Sequence, residues 1–204
     1  MKQVAIINYG AGNLASVVNA LEFLDYKAII LNKPEKNINF SHIILPGVGA
    51  FGQLAKNLNH LGFNDYLSEN KEKGNFILGI CVGMQLLFKN SDEGNDQEGL
   101  KLIDGKFKLF EFIDQKKLPL PHIGFSKVKH NNGNMWKDIP NNSYFYFIHS
   151  YKISKIPKGV KFGTSNYGEQ FISFVEHDNI IGSQFHPEKS HKHGIKFLSN
   201  FLNL

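Results

Sequence analysis

Asn75-Phe76-Ile77-Leu78-Gly79-Ile80-Cys81-Val82-Gly83-Met84-Gln85-Leu86-Leu87 decides how this chain folds. The apolar run ending at Ile80 has the character of a buried strand, and the residues after Cys81 repeat with helical spacing. Between them, Gly79-Ile80-Cys81-Val82-Gly83 has the form of a nucleophile elbow with cysteine in place of serine: strand, sharp turn, reactive side chain, helix. Its two glycines relieve crowding where strand and helix approach the turn. A helix N-terminus beside the sulfur offers free backbone N–H groups and partial positive charge, which favour thiolate over thiol. Cys81 is the only cysteine in the chain. A lone cysteine is more often an inert core residue, and its placement in this turn reverses that reading.

Working outward, apolar strands alternate with helical patterns on the N-terminal side. Strands are predicted at Val4–Asn8, Lys27–Leu31, His42–Pro46 and Phe76–Ile80. A first helix carries Leu14, Val17, Val18, Leu21 and Leu24 on one face, and a second helical stretch between Phe51 and Lys73 is interrupted near Gly62. After about residue 91 strands dominate: Lys106–Phe112, Ile123–Lys129, Tyr144–Tyr151, Gln170–Glu176 and Ile180–Phe185, with Asn131-Asn132-Gly133-Asn134 as a hairpin tip and a last helix over Ile195–Leu202. The expected fold class is α/β: an open, mostly parallel sheet with helices on both faces and antiparallel additions in the C-terminal half, flavodoxin-like in outline. No repeat, low-complexity tract or linker interrupts residues 1–204, which read as a single domain.

Composition narrows the function classes. Hydrophobic residues make up 42% and charged residues 20%, as in ordinary globular domains. No apolar run approaches the roughly 20 residues of a membrane span. Met1-Lys2-Gln3 leads straight into a strand rather than a signal peptide, and one cysteine cannot form an internal disulfide. Both features point to a reducing, cytoplasmic setting. The net charge of +5 comes from scattered lysines, 23 of them, with no arginine. It reads as a solvated surface rather than a nucleic-acid or membrane face. Without arginine's planar fork, a tight grip on a phosphorylated substrate by this chain alone is disfavoured.

Three further stretches carry chemistry. Gly10-Ala11-Gly12-Asn13-Leu14-Ala15 formally matches a dinucleotide fingerprint, but the second strand ends in Leu31-Asn32-Lys33 without the carboxylate a ribose needs. A tight turn near a functional rim is the better reading. Pro46-Gly47-Val48-Gly49-Ala50-Phe51 follows the third strand, so in a parallel sheet it shares the carboxyl edge with Cys81. Its backbone N–H groups could stabilise an oxyanion, an effect of roughly 3–4 kcal/mol per donor, or the loop could be a plain turn. In Gln184-Phe185-His186-Pro187-Glu188-Lys189-Ser190, Pro187 holds His186 extended, and Glu188 can accept a hydrogen bond from the imidazole. That is a base with its orienter. His191 and His193 lack the partners of a familiar metal site and read as surface residues.

Taken together, residues 79–87 and 184–190 resemble the class I (triad) glutamine amidotransferases. Residues 46–51, Pro121-His122-Ile123-Gly124 and Tyr146-Phe147-Ile148-His149-Ser150-Tyr151 are similar to the glutaminase subunits of imidazole glycerol phosphate synthase. The resemblance runs from Tyr9 to Phe201. It implies that Cys81 attacks the carboxamide of L-glutamine, with His186 as proton carrier and Glu188 as its orienter. It further implies an oxyanion hole from Val82 and the Gly47-Val48-Gly49 loop, and a glutamine pocket of Gln85, Glu93, Ser150 and Tyr151. No cofactor or metal is expected. The implied partner is a (β/α)8-barrel cyclase subunit that receives ammonia in histidine biosynthesis and forms imidazole glycerol phosphate and AICAR. Asn13, Phe125, Tyr146 and Lys189 fall at positions expected near that docking face or gate. Phe125 and Ser126 stand where the family usually has tryptophan and asparagine. That departure keeps a second expectation in play, a paralogue feeding ammonia to a sugar amidotransferase in surface-polysaccharide synthesis. A third is a non-catalytic docking subunit.

Overall fold

The computed structural model of the chain describes residues 3–94, 97–111 and 118–204. In chain order the strands are β1 (Gln3–Ile7), β2 (Lys27–Leu31), β3 (His42–Leu45), β4 (Phe76–Ile80), β5 (Phe88–Ser91), β6 (Ile103–Leu109), β7 (His122–His130), β8 (Ser143–His149), β9 (Tyr151–Lys152), β10 (Lys161–Tyr167), β11 (Glu169–His177) and β12 (Ile180–Ser183). The helices are α1 (Leu14–Phe23), α2 (Phe51–His60), α3 (Phe63–Glu72), α4 (Val82–Leu87) and α5 (His191–Leu202). Nine strands form one sheet in the order β2-β1-β3-β4-β12-β11-β10-β7-β8, and β5, β6 and β9 form a small second sheet. The first five of the nine run parallel, and the rest add antiparallel.

Continuous apolar strands are explained by burial on both faces. Along β1, Ala5 and Ile7 point to the side covered by α2, α3 and α4, whereas Val4 and Ile6 point to the side covered by α1 and α5. The same alternation separates Ile43 and Leu45 from Ile44, and Ile77 from Leu78 and Ile80. Because β2 and β3 flank β1, the chain reverses direction across the sheet there, and the carboxyl edge at such a point is where open α/β sheets bind ligands. The turns after β1 and β3 meet at this edge, with Gly12 N–H donating to the Val48 carbonyl at 2.8 Å.

The helical stretch at 51–73 is divided as expected, by Gly62 in the left-handed region at φ 78°. Several boundaries differ from the sequence reading, among them the last helix, which starts at His191 instead of Ile195, and the last strand, which ends at Ser183 instead of Phe185. The helix after Cys81 stops at Leu87, because Phe88–Ser91 leaves as β5 to pair with β6. The strand expected over Lys106–Phe112 starts earlier, at Ile103, and Phe112 lies outside the described residues. The strand expected over Tyr144–Tyr151 breaks at Ser150, sending β8 to the large sheet and β9 to the small one. Asn131–Asn134 is not the tip of a tight hairpin. It leads into a 3-10 turn at Asn134–Trp136, which buries Met135 and Trp136 against the α5 side of the core. Strand β10 was not foreseen, since its inward residues Gly163 and Ser165 are small, and Ser165 pairs with Ser173 Oγ at 2.8 Å instead of packing apolar surface.

The elbow depends on its glycines for space. A Cβ at Gly83 would lie 2.0 Å from the Leu45 carbonyl oxygen, and one at Gly79 would lie 2.6 Å from the Gly83 carbonyl oxygen. Both obstacles are backbone, which cannot rotate away. Gly83→Ala is therefore expected to cost on the order of 3 kcal/mol or more, read as a lowered urea midpoint with an unchanged m-value. A wild-type midpoint would show that α4 can slide off β3.

Candidate active site

Cys81 closes β4 and caps α4 with φ 54° and ψ −111°, a conformation that L-residues rarely adopt and that tends to persist where surroundings hold it. Two bonds hold it here: Cys81 N–H donates to the Ser183 carbonyl at 2.7 Å, and its own carbonyl accepts from Gln85 N–H at 3.1 Å. Cys81 is 5% exposed and opens on a cavity of about 190 Å³. Val48, Gly49, Val82, Gln85, Glu93, Ser150 and Tyr151 line the same cavity. Gly47 sits behind it, so close that a Cβ there would meet Val82 Cγ1 at 2.2 Å.

His186 and Glu188 arrive from the segment after β12. His186 N–H donates to the Tyr146 carbonyl at 2.8 Å, and Ser190 Oγ bridges the His186 carbonyl, at 2.6 Å, to the Tyr146 N–H, at 2.9 Å. The outer strand β8 thus fixes the backbone that carries the imidazole. His186 Nδ1 bonds Glu188 Oε1 at 2.6 Å, with both side chains fully buried. Nε2 forms no full hydrogen bond, yet the ring lies close enough to the sulfur to feel its charge. Burial pushes the imidazole down, but the Cys81 sulfur and Glu188 outweigh it and lift the ring to about 10. The arrangement suits a thiolate–imidazolium pair.

Some residues have contacts that the sequence did not show. Asn13, in the left-handed conformation at φ 71°, donates its side-chain amide to Glu188 Oε1. The resemblance places Asn13 near a docking face, and in the fold its side chain also holds the orienter. Glu93 Oε2 accepts from Phe51 N–H at 3.1 Å, so the carboxylate also supplies the missing cap of α2. Tyr9, read only as part of a turn, is buried and donates its hydroxyl to the Pro46 carbonyl at the base of the glycine loop. Burial, and then the nearby Cys81 charge, raise its hydroxyl well above the ordinary tyrosine range. Phe125, Tyr146 and Lys189 do gather on one patch. Phe125 is edge-on to Tyr146 at 5.5 Å, and Lys189 Nζ lies 5.9 Å over the Tyr146 ring. His191 is exposed and stacks on Phe125 at 5.4 Å.

His149 was also missed, although it lines the cavity. Its Nδ1 meets the Tyr151 carbonyl at 2.8 Å, an acceptor only, so Nδ1 carries the proton and Nε2 is bare. His122 Nδ1 must then donate to that Nε2 at 3.1 Å, leaving its own Nε2 to accept from Ser126 Oγ at 2.9 Å. Burial lowers His149 to about 3 and His122 to about 4. Both folded values lie below the unfolded 6.5, so between them the unfolded chain binds more protons, and stability falls with acid. The expected slope is about 1.4 kcal/mol per pH unit for each ring. Urea unfolding between pH 4 and 6.5 should show this slope reduced by one proton in His149→Asn. An unchanged slope would refute the assignment.

The family model for class-I glutamine amidotransferases matches residues 5–204. "Imidazole glycerol phosphate synthase subunit HisH" of Chlorobium chlorochromatii is 43% identical over 203 residues, covering 98% of this chain and all of that one. A protein of Methanococcus maripaludis with the same name, numbered 1, is 38% identical and covers 98% of this chain and 99% of its own. Among solved structures, a glutamine amidotransferase superposes with a TM-score of 0.76 at 18% identity, covering 98% of this chain and 97% of its own. PurLQS from Thermotoga maritima gives 0.73 at 19%, covering 99% and 98%. These two likenesses speak to the fold. No helix among the described residues is long and apolar enough to cross a membrane. The chain belongs to the class-I glutamine amidotransferase family.

Proposed function

We propose that this single-domain chain is the glutaminase subunit of a cytoplasmic imidazole glycerol phosphate synthase. The observation that carries the reading is one small cavity that joins Cys81 to Gln85, Glu93 and Tyr151, with the buried His186–Glu188 pair behind it. The Cys81 thiolate attacks the side-chain carbonyl carbon of L-glutamine, and N–H groups of Val82 and the Gly47–Gly49 loop stabilise the oxyanion. His186 hands its proton to the departing ammonia, leaving a glutamyl thioester on Cys81. The neutral imidazole then takes a proton from water, whose oxygen attacks the thioester and releases glutamate. Gln85, Glu93, Ser150 and Tyr151 hold the amino-acid end.

Ammonia set free in water becomes ammonium and loses its nucleophilicity, so a docked acceptor is part of the reading. The patch of Phe125, Tyr146 and Lys189 adjoins His186 through Tyr146 and is the proposed docking face and gate, with Asn13 linking its neighbourhood to Glu188. Relatives of 37–43% identity that share the HisH name support the histidine-pathway cyclase as the partner. Glutamine hydrolysis should be slow for the chain alone and rise at least tenfold when a cyclase subunit and its nucleotide ligand are added. Equal turnover with and without the cyclase would refute the partnership.

A further inference from the structure

Gln184 stands beside the elbow, fully buried at the end of β12, with its backbone N–H on the Ser173 carbonyl at 2.9 Å. Its side-chain Nε2 lies 3.7 Å from Cys81 Sγ, and its Oε1 lies 3.4 Å from Gln85 Nε2. The Ile148 carbonyl lies 3.6 Å from the sulfur, and the His186 ring is close enough to feel its charge. These neighbours serve different protonation states. A thiol can donate to Ile148, whereas a thiolate is repelled by that carbonyl and gains from a donor on that side in addition to the His186 imidazolium. Gln184 Nε2 is such a donor.

An amide can also turn round. If Gln184 and Gln85 both flipped, Gln184 Oε1 would face the sulfur, which suits S–H and opposes S⁻. What selects between the two polarities is the far end of the chain. Gln85 Oε1 is buried without a partner, and Gln85 lines the cavity. A buried carbonyl oxygen without a donor is costly, and the N–H groups of an amino-acid ligand in the cavity would satisfy it.

We propose that Gln184 is the amide donor to the nucleophile, aimed by Gln85, so that substrate N–H groups at Gln85 Oε1 lock the polarity that favours the thiolate. The inference rests on reading the cavity as the glutamine site. A purely packing role would leave the sulfur's chemistry indifferent to which amide atom faces it. Gln184 would instead act on the reacting atom, lowering kcat more than it raises KM.

Two variants test this in the full chain docked on its cyclase. Gln184→Leu removes the donor, and Gln184→Glu keeps the shape but turns an anion towards the sulfur. Iodoacetamide alkylation of Cys81 is followed against pH. The pH midpoint of alkylation should lie about one unit higher in the leucine variant than in wild type, a tenfold slower reaction at any pH below the wild-type midpoint, as loss of one hydrogen bond to a charged group implies. The glutamate variant should be slower still, and all three should converge in strong base. Circular dichroism checks that each variant folds; if leucine does not, the isosteric glutamate variant decides. Profiles superimposable on wild type would overturn the proposal. Labelling with a glutamine-analogue electrophile is run alongside. Failure of that labelling, with the iodoacetamide profiles still shifted, would refute the glutaminase reading while leaving the Gln184 hydrogen bond standing.

Discussion

Replacing Cys81 with alanine is expected to lower glutamine hydrolysis by about 10^4-fold or more, because no other group at the cavity can form the acyl intermediate. Cys81 is the only cysteine of the chain; on the cavity wall Glu93 is bonded to the Phe51 N–H and both His149 nitrogens are engaged, which leaves hydroxyls in its place. Those hydroxyls, on Ser150 and Tyr151, lack a base held as His186 is held against Glu188. Alanine keeps the Cβ, so the turn at φ 54° is as constrained as before and the elbow should persist. A clean result needs a control for docking. In the complex, cyclase activity supplied with free ammonium should remain near wild type while glutamine-dependent activity disappears. If glutamine-dependent turnover survived in Cys81→Ala at more than a few percent, the nucleophile would be elsewhere. Loss of both activities would instead point to an interface role for this turn.

The elbow was legible in the sequence because its requirements are local. A strand, a residue at positive φ and a helix packed on a neighbouring strand need glycine where backbones touch, and Gly79 and Gly83 leave that mark. The alternation behind the parallel strands is local too, and β2 and β4 fall at the limits read from their apolar runs. What depends on distant partners was hidden. Strand β10 is held by its neighbours β11 and β7 rather than by apolar residues of its own. Asn13 lies 175 positions from Glu188, and nothing near either residue announces their contact. His149 and Gln184 stand inside stretches already singled out, but they act through hydrogen bonds whose polarity only the folded geometry fixes. Their place inside those stretches was the available signal for both.

The same long-range contact sets the second large effect. Glu188 Oε1 accepts two donors, His186 Nδ1 and the Asn13 amide, whereas Oε2 is buried without a partner. In Glu188→Gln the amide can place either its oxygen or its nitrogen at the first position. Nitrogen there would oppose two donors at once, so Asn13 pins the oxygen towards His186. The histidine keeps its Nδ1–H tautomer and loses only the carboxylate charge that supports the imidazolium. The expected fall in kcat is about 10^2-fold, the lower end of what a positioned acid–base group contributes. Asn13→Ala should by itself cost much less, since Glu188 stays charged and bonded to His186. In the double variant only the His186 Nδ1–H opposes the flipped amide, and the imidazole can relieve that clash by moving its proton to Nε2, the wrong tautomer. Loss of the tautomer costs about 10^4-fold in the serine-protease analogue. The double variant should therefore fall well below the product of the two single effects, a coupling that a double-mutant cycle measures directly. Affinity for the cyclase is measured in parallel, because a weakened complex would mimic the loss. Single effects that simply multiply, at unchanged affinity, would show that Asn13 does not hold the orienter, and would return it to the docking face alone.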